Sequence, residues 1–135
     1  MALRRVLAAC LLVLGIIHLL PLTGAAGAER LQGLYGVAVT DPDLIVLMRH
    51  RAVLFGILGG YFVAAAFVPT LRLSALLMGL LSVASFLVLA SGTTSPGIAR
   101  IVAVDWLALA AVIVGLLAHA ASRTPPPSRT PEIDE

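Results

Sequence analysis

Six ionisable side chains interrupt otherwise apolar stretches of this sequence: His18, Arg49, His50, Arg51, Asp105 and His119. An ionisable group in hydrocarbon costs a few kcal/mol on insertion scales, so it faces a partner, a cavity or water. Imidazole and carboxylate groups could pass protons, and a guanidinium could steady negative charge on a ligand or pair with the carboxylate. Metal chemistry is not indicated: the three histidines lie on different segments and Asp105 is the only carboxylate among them, so no ligand spacing arises. No cofactor is indicated either. The phosphate-cradling G-x-x-x-x-G-K-[ST], the nucleophile elbow G-x-S-x-G and the zinc motif H-E-x-x-H are all missing. Cys10 is the sole cysteine, which excludes an intramolecular disulfide and the CxxC chemistry of small helical thiol oxidoreductases.

The elements that position these residues are read from hydropathy. Of 135 residues, 60% are hydrophobic and only 12% charged, with a mean hydropathy of +1.06. A soluble domain carries about a quarter of its residues as charges, so lipid is the solvent for most of this surface. The basic residues are nine scattered arginines and the net charge is +2, which does not suit nucleic acid. Four apolar segments approach the ~20 residues a spanning helix needs: Val6 to Leu22, Leu44 to Val68, Leu71 to Ala90 and Ile98 to Ala121. The expected fold is an all-α membrane protein, a four-transmembrane-helix bundle filling residues 1–121, with a Pro-rich cytoplasmic tail over 122–135 expected to be disordered. Between the first two spans, Leu31, Leu34 and Tyr35 recur at helical spacing, which suits a short amphipathic helix on the outer membrane surface. Asp41, Pro42 and Asp43 read as the start of the second span.

Arg4, Arg5, Arg72, Arg123 and Arg129 fall on one side of the bundle and Arg30 and Arg100 on the other, so both termini are expected in the cytoplasm of a bacterial inner membrane. Two rival readings concern the N-terminus. Arg4-Arg5, the apolar run and Ala26-Gly27-Ala28 match a cleavable signal peptide, although the run is long for one and carries His18. Leu7-Ala8-Ala9-Cys10 looks like a lipoprotein box, but no apolar stretch precedes it. Retention of a true first helix is the expectation.

Depth groups the polar residues. With this orientation His18 sits about one turn below the outer end of its helix, while Arg49 to Arg51 and Asp105 lie roughly 10 Å into theirs at ~1.5 Å per residue. A polar layer of His18, Arg49, His50, Arg51 and Asp105 is thus expected in the outer leaflet, with His119 at the opposite side. At ~100° per residue, Ala52, Gly56, Gly59, Gly60 and Val63 share one face of the second span. Arg49 lies within ~20° of Gly56 and Gly60, so it is expected to point along the small-residue seam and pair with Asp105. Arg51, above Leu58 and Phe62, is expected on the opposite face, and His50 on a third with Ile57 and Tyr61. Gly79 with Ala75 and Ser82, and Gly115 with Ala108 and Ala111, mark packing seams on the last two spans. The layer admits three readings: a neutralising pair that only joins two helices, a ligand site, or a proton pathway. Trp106 and Tyr61 read as belt or packing aromatics.

The stretch from Leu47 to Gly56, with His18-Leu19-Leu20-Pro21 and Glu29 to Gly36 ahead of it, resembles a group of short bacterial four-helix membrane proteins of unknown function that are DoxX-like in layout. The resemblance covers most of residues 1–121 and implies the four-helix fold, without catalytic residues. Members of that group sometimes carry the label phosphopantetheine adenylyltransferase. That enzyme is soluble and uses an H-x-G-H motif, which does not occur here. The expected function is non-enzymatic binding of a lipophilic or anionic small molecule, or of a membrane partner, at the outer polar layer. Membrane lipid, a second copy of the chain or another membrane protein are the partners this suggests. A small membrane enzyme, for instance an isomerase of lipidic substrates using His18 or Asp105 with an arginine, is the rival. A small transporter is a third reading, though small multidrug exporters place their acidic residue in the first helix, where this chain has none.

Overall fold

Prolines and caps set the boundaries of five α-helices. The computed structural model describes residues 1–123; beyond residue 123 the expected disordered tail lies outside the described residues. Helix α1 runs Ala2–Leu19 and tightens into a 3-10 stretch over Leu20–Ala26. Pro21 explains the change, because it lacks the N–H that an α-helix would require at that turn. Helix α2 (Ala28–Tyr35) ends on Gly36, whose φ of 70° is a left-handed cap suited to glycine. It is amphipathic as expected, with Leu31 fully buried and Glu29, Arg30 and Gln32 exposed. Helix α3 (Pro42–Phe67) starts where Asp41 Oδ1 accepts a 2.9 Å hydrogen bond from the Leu44 N–H, and stops before Pro69. A 3-10 turn over Pro69–Leu71 leads into α4 (Arg72–Leu89), and α5 spans Pro96–Ala121 with Pro96 in its first turn.

The fold is all-α, without strands among the described residues. Four of its helices are long and apolar enough to cross a membrane: α1 with its 3-10 extension, α3, α4 with the turn before it, and α5. The chain is a multi-pass membrane protein. Its outer surface is apolar, with Leu47, Ile57, Leu81, Leu89, Leu107 and Leu117 all exposed. Helix α1 is central, packing on α3 and α5 and touching α4. The core joins Leu7, Leu11 and Leu14 of α1 to Phe62 of α3, Leu76 and Val83 of α4, and Val112 of α5.

Two of the seams lie where the small residues predict. A Cβ on Gly79 would sit 3.4–3.5 Å from Leu14, Phe62 and Val112, and one on Gly115 would meet Leu76 at 2.6 Å. The α3 seam needs correction. Its line of closest approach is Gly59, where a Cβ would lie 2.9 Å from the Gly15 carbonyl oxygen and 3.0 Å from the Leu19 nitrogen. Gly56 meets the Leu22 side chain, while Gly60 is exposed and faces open space. The line on α3 that faces α1 and its extension therefore runs Ala52, Gly56, Gly59, Val63, with Ala52 and Gly59 buried and the other two partly so. Gly60 shares the composition of the seam but lies off its edge.

Candidate functional site

The ends of all five helices nearest α2 enclose a cavity of about 190 Å³. That exceeds many times the ~10–15 Å³ a single water requires. His18 enters from α1, Tyr35 from α2, Arg51 and Phe55 from α3, Ser82 and Phe86 from α4, and Arg100 and Asp105 from α5. Ile17, Leu20, Pro21, Leu34, Ile101 and Val104 complete an apolar wall. The roof depends on two glycines. Gly36 ends α2 with its backbone beside the Arg100 guanidinium, and Gly97 lets the α5 backbone press directly on the Tyr35 carbonyl, where no Cβ would fit.

His18 is 2% exposed and fully engaged. Its Nδ1 lies 2.9 Å from the Leu14 carbonyl oxygen and its Nε2 lies 3.1 Å from Ser82 Oγ. A carbonyl only accepts, so Nδ1 carries the proton and donates; in the neutral ring Nε2 then accepts from the Ser82 hydroxyl. The ring stacks on Phe55 with centroids 5.5 Å apart and meets Phe62 edge-on at 4.9 Å. Phe55 also contacts the Arg51 guanidinium, whose central carbon is 5.1 Å from the ring centroid. The same guanidinium lies 5.7 Å from the centre of the Tyr35 ring and donates a long, 3.5 Å hydrogen bond to its hydroxyl. Aromatic faces thus hold the Arg51 charge at the cavity wall with most of its N–H groups uncommitted.

Asp105 is half-buried on the same wall, with neither a hydrogen bond nor an ion pair among the described residues. The positive charge of Arg51 attracts its carboxylate without contact. The expected Arg49–Asp105 pair does not form. Arg49 is exposed, donates from Nε to the Ala25 carbonyl oxygen at 2.8 Å, and lines a shallow groove with Val46, His50 and Val53 on another side of α3. Arg49 does share a side with Gly56, as the helical angle implies, but that side meets the 3-10 extension of α1 rather than α5. Arg51 shares its side with Phe55 and with Phe62, which is fully buried in the core. On α3 the small residues mark the side that packs on α1 and its 3-10 extension, whereas Phe55 and Phe62 mark the side that carries Arg51 toward the cavity.

Of the residues expected in the layer, the structure brings together His18, Arg51 and Asp105 and leaves Arg49 and His50 outside. His119 lies at the other end of the bundle, as expected, beside Arg4 and Arg72. Tyr61 is a packing residue, its hydroxyl 2.7 Å from Ser74 Oγ, and Trp106 is 59% exposed on the outer surface. Sequence reasoning missed Arg100 and Phe55 as cavity residues. Arg100 carried a signal, since it lies five residues before Asp105 on the same helix; Phe55 carried none. No family model, curated protein or solved structure matches this chain.

Proposed function

We propose that this chain is a non-enzymatic protein of the bacterial inner membrane, both termini cytoplasmic, whose cavity binds a lipophilic molecule with an anionic head in the outer leaflet. The observation that carries the reading is the composition of the cavity wall. Two guanidiniums, Arg51 and Arg100, stand against one carboxylate, and the remaining lining is largely apolar or aromatic. An anionic head would find uncommitted N–H donors on Arg51, and an apolar tail would lie among Ile17, Leu20, Phe86 and Val104. His18, one of the two proton carriers the enzymatic reading offers beside Asp105, has both nitrogens engaged by Leu14 and Ser82 in a buried position. That favours a holding site over a reacting one. The DoxX-like layout read from the sequence belongs to this proposal as well.

The test uses cis-parinaric acid, a fluorescent fatty acid, with the purified chain in neutral detergent. Saturable binding should be competed by oleate and about tenfold less well by oleyl alcohol, which has the same tail and no charge. Arg51→Gln should weaken binding by a similar factor while the protein still melts cooperatively. Equal competition by the alcohol, or unchanged binding in the variant, overturns the anionic-head reading.

A further inference from the structure

The opposite end of the bundle holds a second cleft, of about 300 Å³, lined by Arg4, Leu7, Pro69, Arg72, His119 and Ser122. Its polar groups are short of partners. Arg72 donates from Nη2 to the Ala66 carbonyl oxygen at 3.1 Å, closing the last turn of α3, but its Nε is buried with no partner. His119 Nε2 is likewise buried and unpartnered. Buried polar groups are costly to leave unpaired; Arg72 Nε always carries an N–H and His119 Nε2 carries one when that nitrogen is protonated, so the cleft favours an acceptor that can reach them after a small side-chain shift.

The electrostatics specify the sign. Every described carboxylate lies toward the α2 end: Glu29, Asp41, Asp43 and, in the first half of α5, Asp105. None balances Arg4 and Arg72. The first turn of α4 has no acidic residue that would offset the charge of Arg72. Placement specifies the source. The cleft sits where α1, α4 and α5, all membrane-crossing, reach one surface of the bundle, and Leu7 and Pro69 give it an apolar part. Basic pockets at that level between spanning helices suit lipid headgroups.

We infer that this cleft binds the phosphate of an anionic phospholipid headgroup, with Arg4, Arg72 and His119 as its donors. The site is separate from the cavity of the proposed function and stands or falls independently of it.

Native mass spectrometry of the full chain released from neutral detergent tests the assignment, with dioleoylphosphatidylglycerol and dioleoylphosphatidylcholine as probes. The wild type should retain the anionic lipid roughly tenfold more strongly. Arg72→Gln, and separately Arg4→Gln combined with His119→Leu, should reduce that preference to about the level of the zwitterionic lipid. If Arg72→Gln unfolds because Ala66 loses its partner, the second variant decides alone. Arg49→Gln, a charge removed from an exposed site at the other end, is the control. An equal loss there would show diffuse electrostatic attraction and overturn the site. Displacement of the lipid by millimolar inorganic phosphate would keep the phosphate chemistry but overturn the lipid as its source. A marked gain in lipid retention on neutralising Glu132, Asp134 and Glu135 together would make the chain's own carboxylates the occupant and overturn the inference.

Discussion

Arg51 and Asp105 face one cavity without touching, as the proposed ligand site requires and a structural ion pair would not. A contact pair would consume the charge of both partners; here aromatic rings position the guanidinium and leave its donors free. A double-mutant cycle on stability in detergent separates the two arginines. Arg51→Gln and Asp105→Asn should couple by about 0.5–1.5 kcal/mol, whereas Arg49→Gln and Asp105→Asn should be additive within about 0.5 kcal/mol. Coupling through Arg49 instead would mean that the side chains repack and that the pair expected from helical angle exists after all. His18 belongs to the structural half of the site. Its ring fills space between Phe55 and Phe62 and ties α1 to α4 through Ser82.

At the scale of the element, the contact between α1 and α3 depends on missing side chains. Backbone meets backbone where Gly15 faces Gly59, so neither position has room for a methyl group. In lipid there is little hydrophobic force to bring helices together, and this close approach with its dispersion contacts has to suffice. Gly59→Ala should therefore cost about 1–3 kcal/mol, read as a lower melting temperature in detergent. Gly60→Ala, one residue along, should cost nothing and gain slightly through helix propensity, since its Cβ enters open space. Equal losses at both positions would show that the outward face of Gly60 is covered in solution, for example by a second copy. The G-x-x-x-G spelling named Gly56 and Gly60, of which Gly56 meets the extension of α1 and Gly60 meets nothing, while the closest approach falls at Gly59 between them. Composition reports which face is small; the crossing angle decides which of its residues lies at the point of contact.

Across the whole molecule, the polar cavity lies at one end of the bundle and the arginine-lined cleft at the other. Reporter fusions placed after Pro69 and after Ala121 should read cytoplasmic, and one after Thr94 periplasmic. A periplasmic signal after Ala121 would invert the orientation and put the proposed lipid site in the outer leaflet. The central position of α1 bears on the signal-peptide reading. Leu7, Leu11 and Leu14 are buried against three other helices, so cleavage before Glu29 would strip the core of its middle element. The purified protein should carry its N-terminal residues by intact mass; a mature start at Glu29 would leave a fold unlike this one.

Composition and period alone determined the four spans, the amphipathic α2, the capping of α3 by Asp41 and the depth at which polar residues gather. Each of these depends on residues near one another in the chain, on hydropathy over about twenty residues or on a local hydrogen bond. Depth follows from counting along a helix and needs no partner. Which polar groups meet across the bundle was decided by tertiary structure. A helical angle ranks Arg49, His50 and Arg51 relative to one another but does not say which neighbour each faces, because that depends on how α3 rotates against α1, α4 and α5. The large side chains set that rotation: Phe62 fills the centre of the bundle and carries Arg51 inward with it, while Gly56 and Arg49 turn toward the extension of α1.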